Sequence, residues 1–319
     1  MDKFEFLRRA VLTKPAHLPR ALVRQEADMF RALDFQGVPR DWLAEPTGPL
    51  DPDFLDRFLS AQLSVEEKRY IGFREQTDRP ELIRRTVLEV AGTVLACQLA
   101  CEYGIASNLA GGTHHAHRTM GAGYTIINDI AVAANFLTTS PALWGKDPSG
   151  TSTKKERVLV IDCDVHQGDG TAQFTQLHEE QRLFTLSIHC ASNYPRLKAN
   201  STIDVGVADG IRDDEYVEIL ETSVNQAIAQ VDPDFVLYDA GVDIYANDKL
   251  GRLQVSEEGI RRRDRFVLER CVQAEIPVAA VIGGGYDRDV PALARRHAIV
   301  HEECAYVWRK YQMWKRGIA

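Results

Sequence analysis

The chain has 319 residues, 45% of them hydrophobic, and carries a formal net charge of −8. That length buries a sizeable core in one large α/β domain or two smaller ones. The acidic balance, with no basic run denser than "RRRDR" at 261–265, argues against direct nucleic-acid binding.

No apolar run reaches the roughly 18 residues of a membrane span. Six cysteines (Cys97, Cys101, Cys163, Cys190, Cys271, Cys304) without paired CxxC spacing fit reduced, mostly buried thiols. The opening "MDKFEFLRRAVLTK" lacks the apolar stretch of a secretory signal, and Asp2 and Glu5 count against an organelle transit sequence. It reads as an amphipathic helix of a cytoplasmic protein, or of a nuclear one if the source is eukaryotic.

The first hundred residues read mainly as helix, punctuated by "GVPRDWLAEPTGPLDP". Residues 79–104 form a long helix with apolar positions every three to four residues, closed by Gly104. From about 105, short runs rich in Val, Ile and Leu alternate with helical stretches. The runs are "RVLVID" (157–162), "LFTLSIH" (183–189), "TIDVGV" (202–207), "DFVLYDAG" (234–241) and "VAAVIGGG" (278–285). Helices are predicted over 214–231 and 256–275, the second with Ser256 as N-cap. Residues 140–156 read as a polar surface loop. Continuously apolar strands separated by helices predict a parallel sheet covered on both faces.

The polar residues gather where these strands end, at "DCDVHQGDG", "DAGVD" and "GGGYD", and ligands of open α/β sheets bind beyond the carboxyl ends of strands. In "DCDVH", alternation along an extended strand puts Asp162, Asp164 and His166 on one face. Neighbouring carboxylates are costly to bury without a cation, and carboxylate plus imidazole donors suit Zn²⁺ or another divalent transition metal. Asp243 is the best third ligand. "GGTHHAHR" (111–118) places three of the nine histidines behind two glycines. Alone it would read as a solvated loop. Beside a metal, two imidazoles oriented by spare carboxylates can divide base and acid work, and the Tyr286 phenol can donate to an oxyanion. The set describes hydrolysis of an amide or ester carbonyl.

"GGTHHAH", "DCDVHQGDGTAQF", "YDAGVD…DKLGRL" and "GGGY" occur in the order and spacing of the metal-dependent histone deacetylase superfamily, which the chain resembles over roughly residues 65–300. "HQGDGTAQF", "SIHCASNYP" and "AGVDIYANDKLGRL" are most similar to the short class IV-like branch with many bacterial members. The resemblance implies a single arginase/deacetylase-like α/β domain over 1–319, with about eight parallel strands flanked by helices on both faces. It implies that Asp164, His166 and Asp243 bind Zn²⁺, with Fe²⁺ as the alternative. Further, it makes His114 and His115 a tandem pair backed by Asp162 and Asp169, with His115 the general base and Tyr286 polarising the acyl carbonyl. Gly123, Tyr124 and Tyr194 match the walls of the acyl channel, and Asp162, Ser187 and nearby carbonyls match a structural K⁺ site.

Two departures stand out. Family members usually open with an apolar strand and an "HRFP"-like segment before the equivalent of "MDKF", so either the true start lies upstream or one sheet-edge strand and part of the channel rim are missing. Cys163 replaces an aliphatic residue and is expected to face away from the metal, while His117 is assigned no catalytic role. The function implied is zinc-dependent deacylation of N-ε-acyl-lysine in proteins. The alternatives are a small-molecule N-acyl amidohydrolase, such as an acetylpolyamine deacetylase, and a catalytically silent acyl-lysine-binding protein. Oligomeric state is left open.

Overall fold

Strands that are apolar on both faces need a layer of helices on each side, and these strands have them. The computed structural model describes residues 2–12, 29–30, 37–44, 48–140, 156–175 and 182–313. Among these, six strands form one sheet: β1 (Ile105–Ser107), β2 (Val158–Asp162), β3 (Leu183–Cys190), β4 (Ile203–Val207), β5 (Phe235–Asp239) and β6 (Val278–Val281). Their order is β1-β6-β5-β2-β3-β4, and every pairing is parallel. The helices are α1 (Asp2–Leu12), α2 (Arg40–Leu43), α3 (Pro52–Leu59), α4 (Val65–Ile71), α5 (Pro80–Tyr103), α6 (Asp129–Thr139), α7 (Asp169–Phe174), α8 (Asp213–Val231), α9 (Glu257–Gln273) and α10 (Val290–Lys310).

The α/β class holds, with a correction to the strand number: six strands among the described residues rather than about eight. The remaining described segments are helices and turns, which supply no further ladder. A strand ahead of "MDKF" and residues 141–155 of the loop predicted at 140–156 lie outside the described residues. The apolar pattern also missed β1. Three residues directly after the Gly104 cap are too few to show a period.

Alternation along β2 builds two cores. Leu159 and Ile161 pack with apolar residues of α8, α9 and α10, while Val158 and Val160 pack with those of α3, α5 and α6. Pro80 begins α5 and Gly104, with φ 82°, ends it. The Ser256 hydroxyl accepts the Gly259 N–H at 3.1 Å and caps α9. The basic run on α9 is paired off. Arg261 and Arg265 bind Glu303 at 2.6 and 2.7 Å, and Arg262 binds Asp214 at 2.7 Å. Arg263 is fully buried and donates to the carbonyls of Cys163, Ala240 and Gly241, where the chain leaves β2 and β5. In register, Asp162 of β2 lies beside Ser187 of β3 and Asp239 of β5. All the motif loops therefore leave one carboxyl edge of the sheet.

His301 ties α10 to β1, its Nδ1 lying 2.8 Å from the Ser107 hydroxyl. Burial pushes this imidazole down to about 4. An unfolded histidine titrates near 6.5, so between about pH 6.5 and 4 the unfolded chain binds a proton that the folded chain refuses. Stability falls as pH drops through that window, and above it the group contributes nothing. His301→Asn keeps a partner for Ser107 but does not titrate. Between pH 7 and 5 the variant is expected to lose about 2 kcal/mol less than wild type in urea unfolding. Equal losses would exclude His301 as a source of acid sensitivity.

Candidate active site

The tandem histidines follow β1 on a loop that two buried carboxylates pin by its backbone. Glu89 of α5 accepts the Gly111 N–H at 3.1 Å, and Asp129 of α6 accepts those of Gly112 and Thr113 at 3.1 and 2.7 Å. Gly112 has φ 89°, and a Cβ on it would lie 2.5 Å from the Gly283 Cα. Only glycine lets this loop press against the exit of β6.

His114 and His115 are buried, with ring centroids 4.2 Å apart. Nδ1 of His114 lies 2.8 Å from Asp162 Oδ2, and Nδ1 of His115 lies 2.6 Å from Asp169 Oδ1. The two imidazoles are driven apart electrostatically. Burial opposes protonation of both. At His114 it is outweighed by Asp162 and by Asp164, 3.7 Å from Nε2, which hold this imidazole well above its ordinary range. At His115, burial and then the charge of His114 push it down to about 4 despite Asp169. The surroundings thus favour the charged form of His114 and the neutral form of His115.

The extended-strand picture of "DCDVH" needs correcting. The strand ends at Asp162, because Asp162 Oδ1 accepts the Asp164 N–H at 3.1 Å and Asp164 Oδ1 accepts the His166 N–H at 2.9 Å. These bonds curl the chain, so Asp162 meets His114 Nδ1 while Asp164 and His166 come together, Asp164 still lying 3.7 Å from His114 Nε2. Asp243 joins them: His166 Nδ1 lies 3.1 Å from Asp164 Oδ1 and 3.2 Å from Asp243 Oδ2. Cys163 points into the core shared with α8 and α9.

One imidazole nitrogen and two carboxylate oxygens thus converge, each within 4.8 Å of the others and all buried. Burial and the charge of Asp164 push Asp243 up to about 7. Two carboxylates brought this close with one imidazole form a donor set that fits a divalent metal. His114, Asp162 and Asp239 form a second such group.

Asp239 was not singled out by the motifs. Its Oδ2 is 3.8 Å from His114 Nδ1, and neither oxygen has a hydrogen-bond partner among the described residues. Burial and then Asp162 raise it well above the carboxylate range. The only early signal was its place as the first residue of the quoted "DAGVD", in which Asp243 alone was picked out. Asp129 and Glu89 left no motif at all.

A cavity of about 280 Å³ leads to these groups, lined by His114, His115, Gly123, Tyr124, His166 and Tyr286, with Lys3 and Phe4 of α1 among its other walls. Tyr124 is 51% exposed and Tyr194 41%, whereas the histidines are buried. The Tyr194 ring stands edge-on to His115 at 4.9 Å, and Tyr124 lies 6.3 Å from Tyr286. Burial, then Asp243 and Asp164, hold the Tyr286 phenol well above its usual range, so it keeps its proton. Ser187 is buried near Asp162, with its hydroxyl 3.0 Å from His189 Nδ1. His117 lies to the side, 2.9 Å from the Gln173 amide oxygen.

The sequence model of the histone deacetylase domain matches residues 51–301. An uncharacterised protein of Picosynechococcus is 39% identical over 258 residues, 81% of this chain and 80% of that one. Histone deacetylase 2 of Arabidopsis thaliana is 34% identical over 201 residues, 62% of this chain and 48% of the plant protein. Histone deacetylase 8 of Xenopus laevis is 28% identical over 194 residues, covering 57% and 54%. The match therefore takes in only about half the length of either named deacetylase. With most of its length matched to the domain, and with its parallel α/β sheet and convergent histidine–aspartate groups, the chain belongs to the histone deacetylase family of hydrolases.

Proposed function

We propose that residues 1–319 form one catalytic domain that hydrolyses the amide bond of N-ε-acyl-lysine with Zn²⁺. The observation that carries this reading is a carboxylate-oriented His115 lining the same cavity as Asp164 and His166, which converge with the buried Asp243. Those three residues would hold the metal. Their mixed nitrogen and oxygen donors suit Zn²⁺, with Fe²⁺ the alternative. When bound, the ion supplies Lewis-acid chemistry, polarising the acyl carbonyl and making water more acidic.

The side chains divide the remaining work. His115 Nδ1 is engaged by Asp169, leaving Nε2 to take a proton from the attacking water and pass it to the leaving amine. His114, held as a cation by Asp162, stabilises negative charge without moving a proton. Tyr286 donates its O–H to the developing oxyanion. Gly123, Tyr124 and Tyr194 would flank the lysine stem. Asp162, Ser187 and neighbouring carbonyls are where a structural K⁺ would sit. A reducing compartment such as the cytoplasm fits cysteines that are all free thiols.

The half-exposed tyrosines favour a protein side chain over a small acylated amine, because a long stem can enter while its backbone stays outside. Purified protein assayed on acetyl-lysine peptides, longer acyl-lysine peptides and acetylated polyamines, with and without Zn²⁺, tests the proposal. Preference for polyamines would favour the small-molecule reading. Peptide binding without turnover would make the chain a silent reader. Tyr286→Phe is expected to lower kcat roughly 10²- to 10³-fold with KM and metal content unchanged. An unchanged kcat would move the oxyanion role elsewhere.

A further inference from the structure

The loop from Asp243 to Arg252 touches three parts of the site at once. Asp248 Oδ1 accepts the N–H groups of Leu250 and Gly251 at 2.8 and 2.9 Å, closing a tight turn. Its Oδ2 reaches to the exit of β6 and accepts the Tyr286 N–H at 2.6 Å. The next residue, Lys249, donates its own N–H to the Tyr286 carbonyl at 3.0 Å. One dipeptide thus holds the Tyr286 backbone from both sides.

The same loop is locked to the donor set and to the channel wall. A Cβ on Gly251 would lie 1.8 Å from the Asp243 carbonyl oxygen, so only glycine lets the turn close there. The Leu250 carbonyl accepts from the Asn193 amide at 2.8 Å, one residue before Tyr194. Tyr286, by contrast, follows Gly283, Gly284 and Gly285, which impose little on its backbone by themselves. Something outside that run must fix the phenol, and a carboxylate accepting a backbone N–H is a strong, directional bond.

We propose that Asp248 is the positioning residue for Tyr286. It sets where the phenol stands relative to Asp164, His166 and Asp243 by gripping the tyrosine's backbone N–H, without itself touching substrate. The kinetic consequence rests on the role proposed above for Tyr286, while the structural half does not.

Asp248→Asn is the test. Its one remaining carbonyl oxygen can serve the Leu250–Gly251 turn or Tyr286 but not both, and the amide nitrogen cannot accept. Amide hydrogen exchange at Tyr286 is expected to speed up at least tenfold, while β2 and β5 keep their wild-type protection. Unchanged protection at Tyr286 in both this variant and Asp248→Ser, which cannot reach Tyr286, would overturn the proposal, whatever the activity. In turnover, kcat is expected to fall about tenfold or more with KM within about twofold, since small misplacements of a reacting group are costly. In a Tyr286→Phe background the same change should cost less than about twofold, because both losses run through one phenol. A full, additive loss there would place Asp248 elsewhere and overturn the assignment. Asp248→Ser, short enough to cap its own turn but not to reach Tyr286, serves if the asparagine variant does not fold. Absence of any amidase activity in wild type would sink the proposed function, and exchange at Tyr286 would still decide the role of Asp248.

Discussion

Asp243→Ala is expected to leave a protein that loses its metal on dialysis and, with it, essentially all hydrolysis. Asp243 is fully buried, and its two oxygens do different things. Oδ2 faces His166 Nδ1 at 3.2 Å, while Oδ1 accepts the Val165 N–H at 2.8 Å. Truncation leaves Asp164 and His166, and two protein donors hold Zn²⁺ poorly where three form an open catalytic site. It also orphans the Val165 N–H, at a cost of about 1–3 kcal/mol. Asp243→Asn separates the two effects, since its amide oxygen can still accept from Val165 while the ligand charge is gone. Metal analysis after dialysis, beside melting temperature, is the measurement. Wild-type stoichiometry in both variants would make Asp243 a turn residue only.

His115→Ala is expected to lower kcat by about 10²- to 10⁴-fold, the usual range for a positioned general base, and to be the more damaging change of the pair. The geometry separates the two rings. His115 stands against Tyr194, and burial with the charge of His114 pushes it down to about 4, whereas His114 lies between Asp162 and Asp164, which raise it and favour its charged form. A group that is already protonated cannot take the proton of the attacking water. His114→Ala should therefore cost less in turnover, although it leaves Asp162 buried beside the unpartnered Asp239 and should lower the melting temperature more. A larger kcat loss in His114→Ala would reverse the roles. With rings 4.2 Å apart, pH–rate profiles report values for the pair rather than for either residue.

The motifs were legible because their chemistry is written in adjacent letters. Asp164 and His166 are two residues apart, His114 and His115 are neighbours, and the glycines before Tyr286 mark a bent strand exit. Asp239 and Asp129 were not, because a single aspartate in a strand end or helix start looks like a cap until something is packed against it. β1 escaped for a related reason. Three residues carry no period, yet this strand delivers the histidine loop.

By itself the sequence determined the layers, since runs such as "VLVID" satisfy their backbone and bury both faces only inside a parallel sheet. It also determined which edge carries the chemistry, because the polar motifs all follow strand ends. Which carboxylate serves which partner came in the sequence only through the family resemblance, and it is the tertiary structure that supplies the physical reason. Asp162 meets His114 across 48 residues, and Asp243 meets His166 across 77. Those pairings depend on strand order and on the curl after Asp162, neither of which leaves a local trace. The opposite protonation of two adjacent histidines is likewise tertiary. Burial is similar for both, but Asp162, Asp164 and Asp239 surround His114, whereas His115 has Asp169 and the opposing charge of His114.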